Sequence, residues 1–243
     1  MVVDLLAQGI DVPELSPETI AAMASDVLAD YERMVGANNE APIEVVDIAT
    51  SLLGLEFAFA DLQTEFEDRI HGVLYTRRKL IHIDTELDPD RCPAMTPRFN
   101  FTLGHEIGHW VLHRHLFIDD DGHPLVFDDD NAPDIICRST GRRPLVERQA
   151  DAFAGCLLMP EPLLRQAWKS FVGDDGPIND SEIKKSSPKV DPNRISFIDG
   201  DGERATDPQR LLREAFCEPL AAKFIVSQEA MRIQLETLGL FSE

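Results

Sequence analysis

Hydrophobic and polar positions along the 243 residues of the chain change period several times, and each change marks an element. Ser16, Pro17 and Glu18 place an N-cap and a first-turn proline ahead of a run that Gly36 can stop, which predicts a helix over 17–35. After Pro42, apolar Ile43, Val46, Ile48 and Leu52 recur at helical spacing as far as Gly54, a second and shorter helix. The period then drops to two, with Leu55, Phe57 and Phe59 alternating with Glu56 and Ala58, as in a strand. HGVLY (71–75) and KLIHID (79–84), separated by Thr76, Arg77 and Arg78, read as a hairpin. The expected sheet is small and antiparallel, with about three strands.

From Pro97 the pattern turns helical through FNFTLGHEIGHWVLH. Its apolar Phe99, Phe101, Leu103, Ile107, Trp110 and Val111 are spread around the helix, as on one buried on several sides. Residues 116–144 read as an acidic surface loop, marked by the clusters Asp119 to Asp121 and Asp128 to Asp130. VERQADAFAGCLLM is a strong helix ending near Pro160, and a short one follows over 162–171. Residues 173–207 are rich in Gly, Asp, Ser and Pro and read as a loop or flexible linker. A helical pair over 208–224 and 228–238 closes the chain, with Ser227 as N-cap and Gly239 as stop. This divides the chain into a domain over 1–172, a linker over 173–207 and the helical pair within 208–243.

Composition narrows the function classes. Lys plus Arg total 23 against 44 Asp plus Glu, a net charge of −21 that repels a phosphate backbone, so direct nucleic-acid binding is not expected. Cys92, Cys137, Cys156 and Cys217 are scattered without a C-x-x-C pair, which fits reduced thiols in a cytoplasmic protein better than a disulfide framework. The N-terminus lacks the basic and long apolar regions of a signal peptide, and no apolar run is long enough to span a bilayer.

The chemistry concentrates in His105-Glu-Ile-Gly-His109, an H-E-x-x-H motif on a predicted helix. Its spacing of four puts both imidazoles on one face, close enough to share one tetrahedral metal, with Glu106 beside them to take a proton from water. The string by itself recurs by chance, so its context decides. Gly108 costs about 1 kcal/mol in a helix interior relative to alanine, which close packing of another element would justify. A hydrolytic zinc needs a third protein ligand, and Glu147 is placed for it on the next strong helix. Asp151, four residues on, can accept a hydrogen bond from a ligand imidazole and fix its tautomer, although both acids also suit an ordinary exposed helix face.

His115 is the competing third ligand, because residues 105–115 superficially fit H-E-x-x-H-x-x-G-x-x-H. Leu112 stands where that pattern needs a glycine, and a helix continuing through it would carry His115 away. His113 is then a helix-end side chain or a support for a ligand. His71, His82 and Tyr75 suit packing in the sheet, though any of them could reach a substrate oxyanion. Zn2+ is the expected ion, with Mn2+ or Fe2+ able to take its place.

FTLGHEIGHWVLH (101–113), ERQADAFAGCLLMP (147–160) and FIVSQEAMRIQLETLGL (224–240) together resemble the signature blocks of the ImmA/IrrE family of metallopeptidases. LGL (53–55), Gly72 at the start of the hairpin and Arg98 ahead of the active-site helix are similar too. The resemblance implies an α+β fold, with the sheet packed on a mainly helical, thermolysin-like domain. It makes His105, His109 and Glu147 the zinc ligands and Glu106 the catalytic acid/base. It also implies a cytoplasmic protein that cleaves a helix-turn-helix transcriptional repressor, in stress response or mobile-element control. Two features depart from the family pattern: the segment between His113 and Glu147 is longer, and Gln234 replaces an expected arginine. The alternative reading is a weak or inactive metal-binding module that sequesters a repressor without cutting it.

Overall fold

A computed structural model of the chain describes residues 12–66, 70–119, 135–138, 144–186 and 207–242. The chain divides into two compact units, Met1–Asn39 with Glu44–Leu158, and Glu40–Ile43 with Met159–Glu243. The class is α+β.

The first unit opens with α1 (Pro17–Val35), where the Ser16 side chain accepts from the Thr19 amide and Gly36 ends the helix in the left-handed region at φ 70°. Its buried face, Ile20, Ala24, Val27, Leu28 and Tyr31, recurs at helical spacing. A short helix α2 (Val45–Asp47) continues as a π-helical turn over Ile48–Leu52, and Gly54 takes a positive φ of 64° before β1 (Glu56–Ala60).

After β1 come α3 (Leu62–Phe66), β2 (Ile70–Tyr75) and β3 (Leu80–Asp84). β2 and β3 form the expected antiparallel hairpin, but β1 pairs parallel to β3, so the sheet is mixed rather than antiparallel. Alternation marks a strand but carries no direction, which here is set by the path through α3. A fourth strand, β4 (Ile135–Arg138), pairs antiparallel with β2 and gives the order β1-β3-β2-β4. β4 lies inside the segment read as an acidic surface loop. Its β-prone IICR run was legible but short, and the rest of 120–143 lies outside the described residues.

The two faces of this sheet bury different groups. Leu62 of α3 packs with Ile70, Val73 and Tyr75. On the opposite face, Phe57 and Phe59 meet Phe99 of α4 (Thr96–His113), each at 5.8 Å between ring centroids. Helix α5 (Leu145–Leu158) packs against both α4 and α1.

The second unit contains α6 (Glu161–Val172), α7 (Asp180–Ser186), α8 (Pro208–Phe216), α9 (Glu218–Phe224) and α10 (Gln228–Thr237). The predicted helix over 208–224 is two helices meeting at Cys217. Pro219 explains the break, since inside a continuous helix its ring would meet the carbonyl four residues back. The stretch read as a linker from 173 includes α7, whose Ile183 is fully buried, and a β-bridge between Ile178 and Phe241. Asn179 and Glu182 cap α7 reciprocally, a local signal that the polar composition concealed. Residues 187–206 of that stretch lie outside the described residues. Among the described residues no helix is long and apolar enough to cross a membrane.

Candidate metal centre

Helices α4 and α5 can approach closely because α4 lacks side chains where they meet. A Cβ on Gly108 would lie 3.1 Å from the Ala150 carbonyl oxygen and 3.2 Å from its Cα, and one on Gly104 would touch Ala154 and Leu158 at 3.5 Å. The helix penalty of Gly108 is thus offset by contact between the two helices. That contact carries His105 and His109 of α4 to Glu147 of α5.

The three side chains converge. One ligand-type atom from each of His105, His109 and Glu147 lies within 4.8 Å of the others, and all three residues are buried. His105 Nε2 is 3.3 Å from Glu147 Oε2, and His109 Nε2 is 3.3 Å from Glu147 Oε1. The two imidazole Nε2 atoms are 2.8 Å apart. In a tetrahedral zinc site with bonds of about 2.0–2.1 Å, neighbouring ligand atoms stand roughly 3.3 Å apart. Each imidazole stands at that distance from Glu147, although from a different oxygen of the carboxylate.

Hydrogen bonds behind the rings set the tautomers. Asp151 Oδ1 is 2.9 Å from His105 Nδ1 and accepts its proton, leaving the Nε2 lone pair directed at Glu147. His109 Nδ1 is 3.1 Å from His113 Nδ1, and His113 Nε2 is 2.9 Å from Gln149 Oε1. Burial pushes His109 down from its ordinary range, and burial followed by the neighbouring His109 pushes His113 down to about 3. Both rings are therefore neutral near pH 7. Burial opposes the charge on Glu147, but the facing imidazoles, His109 first, outweigh it and hold the carboxyl well below its usual range. Two neutral nitrogens and a carboxylate facing one another are a donor set for a cation.

Glu106 is placed differently. It is 0 % exposed, and neither carboxylate oxygen has a hydrogen-bond partner among the described residues. Burial pushes its carboxyl up to about 8, with His105 opposing and Glu147 adding to the effect. Gly72 of β2 makes this position possible, because a Cβ there would overlap the carboxylate, with Glu106 Cδ only 3.0 Å away. A buried carboxyl without a partner needs another polar group beside it. Together with the neighbouring three-atom donor set, it fits a site for a metal ion and a reacting water.

The remaining candidates separate cleanly. α4 continues through buried Leu112 to His113, and His115 is exposed on the following turn, outside the three-residue group. Tyr75 packs with the α3 cluster, and His82 meets its ring at 5.2 Å, on the sheet face away from α4. His71 lies toward α4, its Nε2 2.6 Å from Arg98 Nη2, next to a register irregularity in β2 between Ile70 and Gly72. Sequence reasoning missed Gln149, whose partners at His113 and Pro13 lie 36 and 136 positions away. It also missed the contact of Gly72 with Glu106, for which only the bare glycine in a β-prone run was a signal.

A family model described as Peptidase_M78, IrrE N-terminal-like domain, matches residues 53–185. No curated protein matches the chain.

Proposed function

Since the chain belongs to the Peptidase_M78 family, the ImmA/IrrE metallopeptidases, we propose that it is a zinc-dependent endopeptidase cleaving a helix-turn-helix transcriptional repressor. The observation that carries the peptidase reading is the convergence of His105, His109 and Glu147 beside the unpartnered carboxyl of Glu106. The repressor as substrate rests on the likeness of the three sequence blocks to the ImmA/IrrE pattern.

In this reading His105, His109 and Glu147 hold the ion, and Asp151 keeps His105 in the ligating tautomer. Bound zinc supplies Lewis acidity toward the scissile carbonyl and toward water. Glu106 takes a proton from the attacking water and passes it to the leaving amine. The strand KLIHID cannot pair with substrate, because β3 lies inside the sheet with both edges occupied. Among the described residues β4 is the outer strand beyond β2, on the side of Gly72, and an extended substrate segment adds to its outer edge.

Elemental analysis of the purified protein beside Glu147→Ala and His115→Ala variants tests the site. One equivalent of zinc, lost in Glu147→Ala and kept in His115→Ala, is expected; loss only in His115→Ala would refute the ligand set. Incubation with candidate repressors then separates cleavage from a stable complex without cleavage, the signature of a sequestering module.

A further inference from the structure

Among the described residues, His113 and Gln149 are buried polar side chains close to the site, 1 % and 3 % exposed, that neither bind the ion nor move a proton. We propose that these two are positioning residues. With the Pro13 carbonyl they form a hydrogen-bond relay that holds His109 in its ligating tautomer and makes the segment ahead of α1 part of the site's support. The inference rests on the metal-site reading above.

The direction of the relay follows from its outer end. A proline carbonyl can only accept, so Gln149 Nε2 donates to Pro13 O at 2.9 Å. That turns Gln149 Oε1, an acceptor, toward His113 Nε2 at 2.9 Å, and His113 must carry its proton there. A neutral His113 then offers a lone pair at Nδ1, 3.1 Å from His109 Nδ1, which must donate. The lone pair of His109 is thereby left on Nε2, the atom 3.3 Å from Glu147. Every donor in the chain meets an acceptor, with no choice of polarity remaining.

His105 and His109 are thus oriented by different chemistry. His105 leans on a carboxylate, Asp151, whose side chain is 24 % exposed. His109 is 0 % exposed and leans on neutral groups only. A second carboxylate at that depth would add negative charge beside Glu147 and Glu106, both buried already. The relay leaves the matched family region, since Pro13 precedes residue 53 where that match begins. Residues outside the family match thus contribute a contact to the metal site.

The test uses the full-length chain with His113→Phe, His113→Gln and Gln149→Leu. Three readouts are zinc affinity by chelator competition, the melting temperature of the metal-free protein, and the tautomer of His109 in the metal-free protein by 15N NMR. His113→Phe fills the same space without an acceptor, so zinc affinity is expected to fall about 10- to 100-fold. The metal-free melting temperature is expected to fall modestly, because His109 Nδ1 and Gln149 Oε1 each lose a buried partner. His109 is expected to lose its preference for Nδ1–H. His113→Gln, whose amide oxygen can accept, recovers most of the affinity, and Gln149→Leu shows a smaller loss than His113→Phe.

Unchanged zinc affinity in both His113→Phe and Gln149→Leu would overturn the proposal. So would affinity and metal-free stability falling together while the His109 tautomer stays as in wild type. If the wild-type chain takes up no zinc, the metal-site reading fails, and the His109 tautomer alone decides the relay. Nδ1–H lost in His113→Phe supports it, and no change overturns it.

Discussion

Two glutamates buried to nearly the same depth are treated in opposite ways. Glu214 of α8, 3 % exposed, accepts from Arg210 Nε at 2.8 Å and from Arg232 Nε at 3.1 Å. The network extends outward, with Arg232 and Arg213 both bound to Glu236, and Arg213 also to Asp180. Glu106 of α4, 0 % exposed, has no hydrogen-bond partner for either oxygen among the described residues. A buried charge with its counter-charges supplied is part of the fold. One held in place by packing, with none supplied, is poised to exchange a proton.

The contrast is broken most strongly at Glu106. Glu106→Gln is expected to lower peptide cleavage about 1,000-fold, within the usual range for a lost general acid–base group. The melting temperature of the metal-free protein should not fall, since the amide removes a group that burial disfavours when charged. Parallel activity and melting curves check this, and an active variant would remove Glu106 from the mechanism.

Glu214→Ala should show the converse. Removing one partner from a buried ion network costs roughly 3 kcal/mol, read as a lower denaturation midpoint in the unit that carries it. Zinc bound per folded molecule should stay the same. Loss of zinc without loss of stability would mean that the network serves the site and not the fold.

A smaller effect, in pH, sharpens the comparison. Glu106 has its folded-state pKa raised from 4.5 to about 8, so between these values the folded chain keeps a proton that the unfolded chain has released. Stability falls as pH rises through that window, by at most about 1.4 kcal/mol per pH unit. Below pH 6.5 the buried imidazoles oppose this, because His109 and His113 are lowered from 6.5 and gain stability as pH rises. The unopposed part is pH 6.5 to 8. Denaturant titrations of the metal-free protein should show declining stability there, and Glu106→Gln should flatten it.

Much of the site was legible because its signals are local. The spacing of four between His105 and His109 sets two imidazoles on one helical face wherever the helix lies. Glu147 and Asp151 share a face of the next helix by the same rule, and Leu112 in place of glycine kept α4 running to His113. Ser16, Gly36 and Ser227 marked helix ends through cap chemistry that spans only three or four residues.

What only the tertiary structure decided are relations between distant residues. β1 runs parallel to β3, and β3 lies inside the sheet, because strand order depends on partners and not on alternation. That Glu147 meets both imidazoles depends on α5 crossing α4 at Gly108, and the Asp151 contact spans 46 positions. The Gln149 contact with Pro13 spans 136, and Glu106 has room in its position because of what Gly72 leaves out. By itself the sequence determined which side chains share a helical face and where helices begin and end, since backbone periodicity and caps act over a few residues. Which of those faces meet, and which buried groups find partners there, follow from packing between segments far apart in the chain, and no local pattern carries that information.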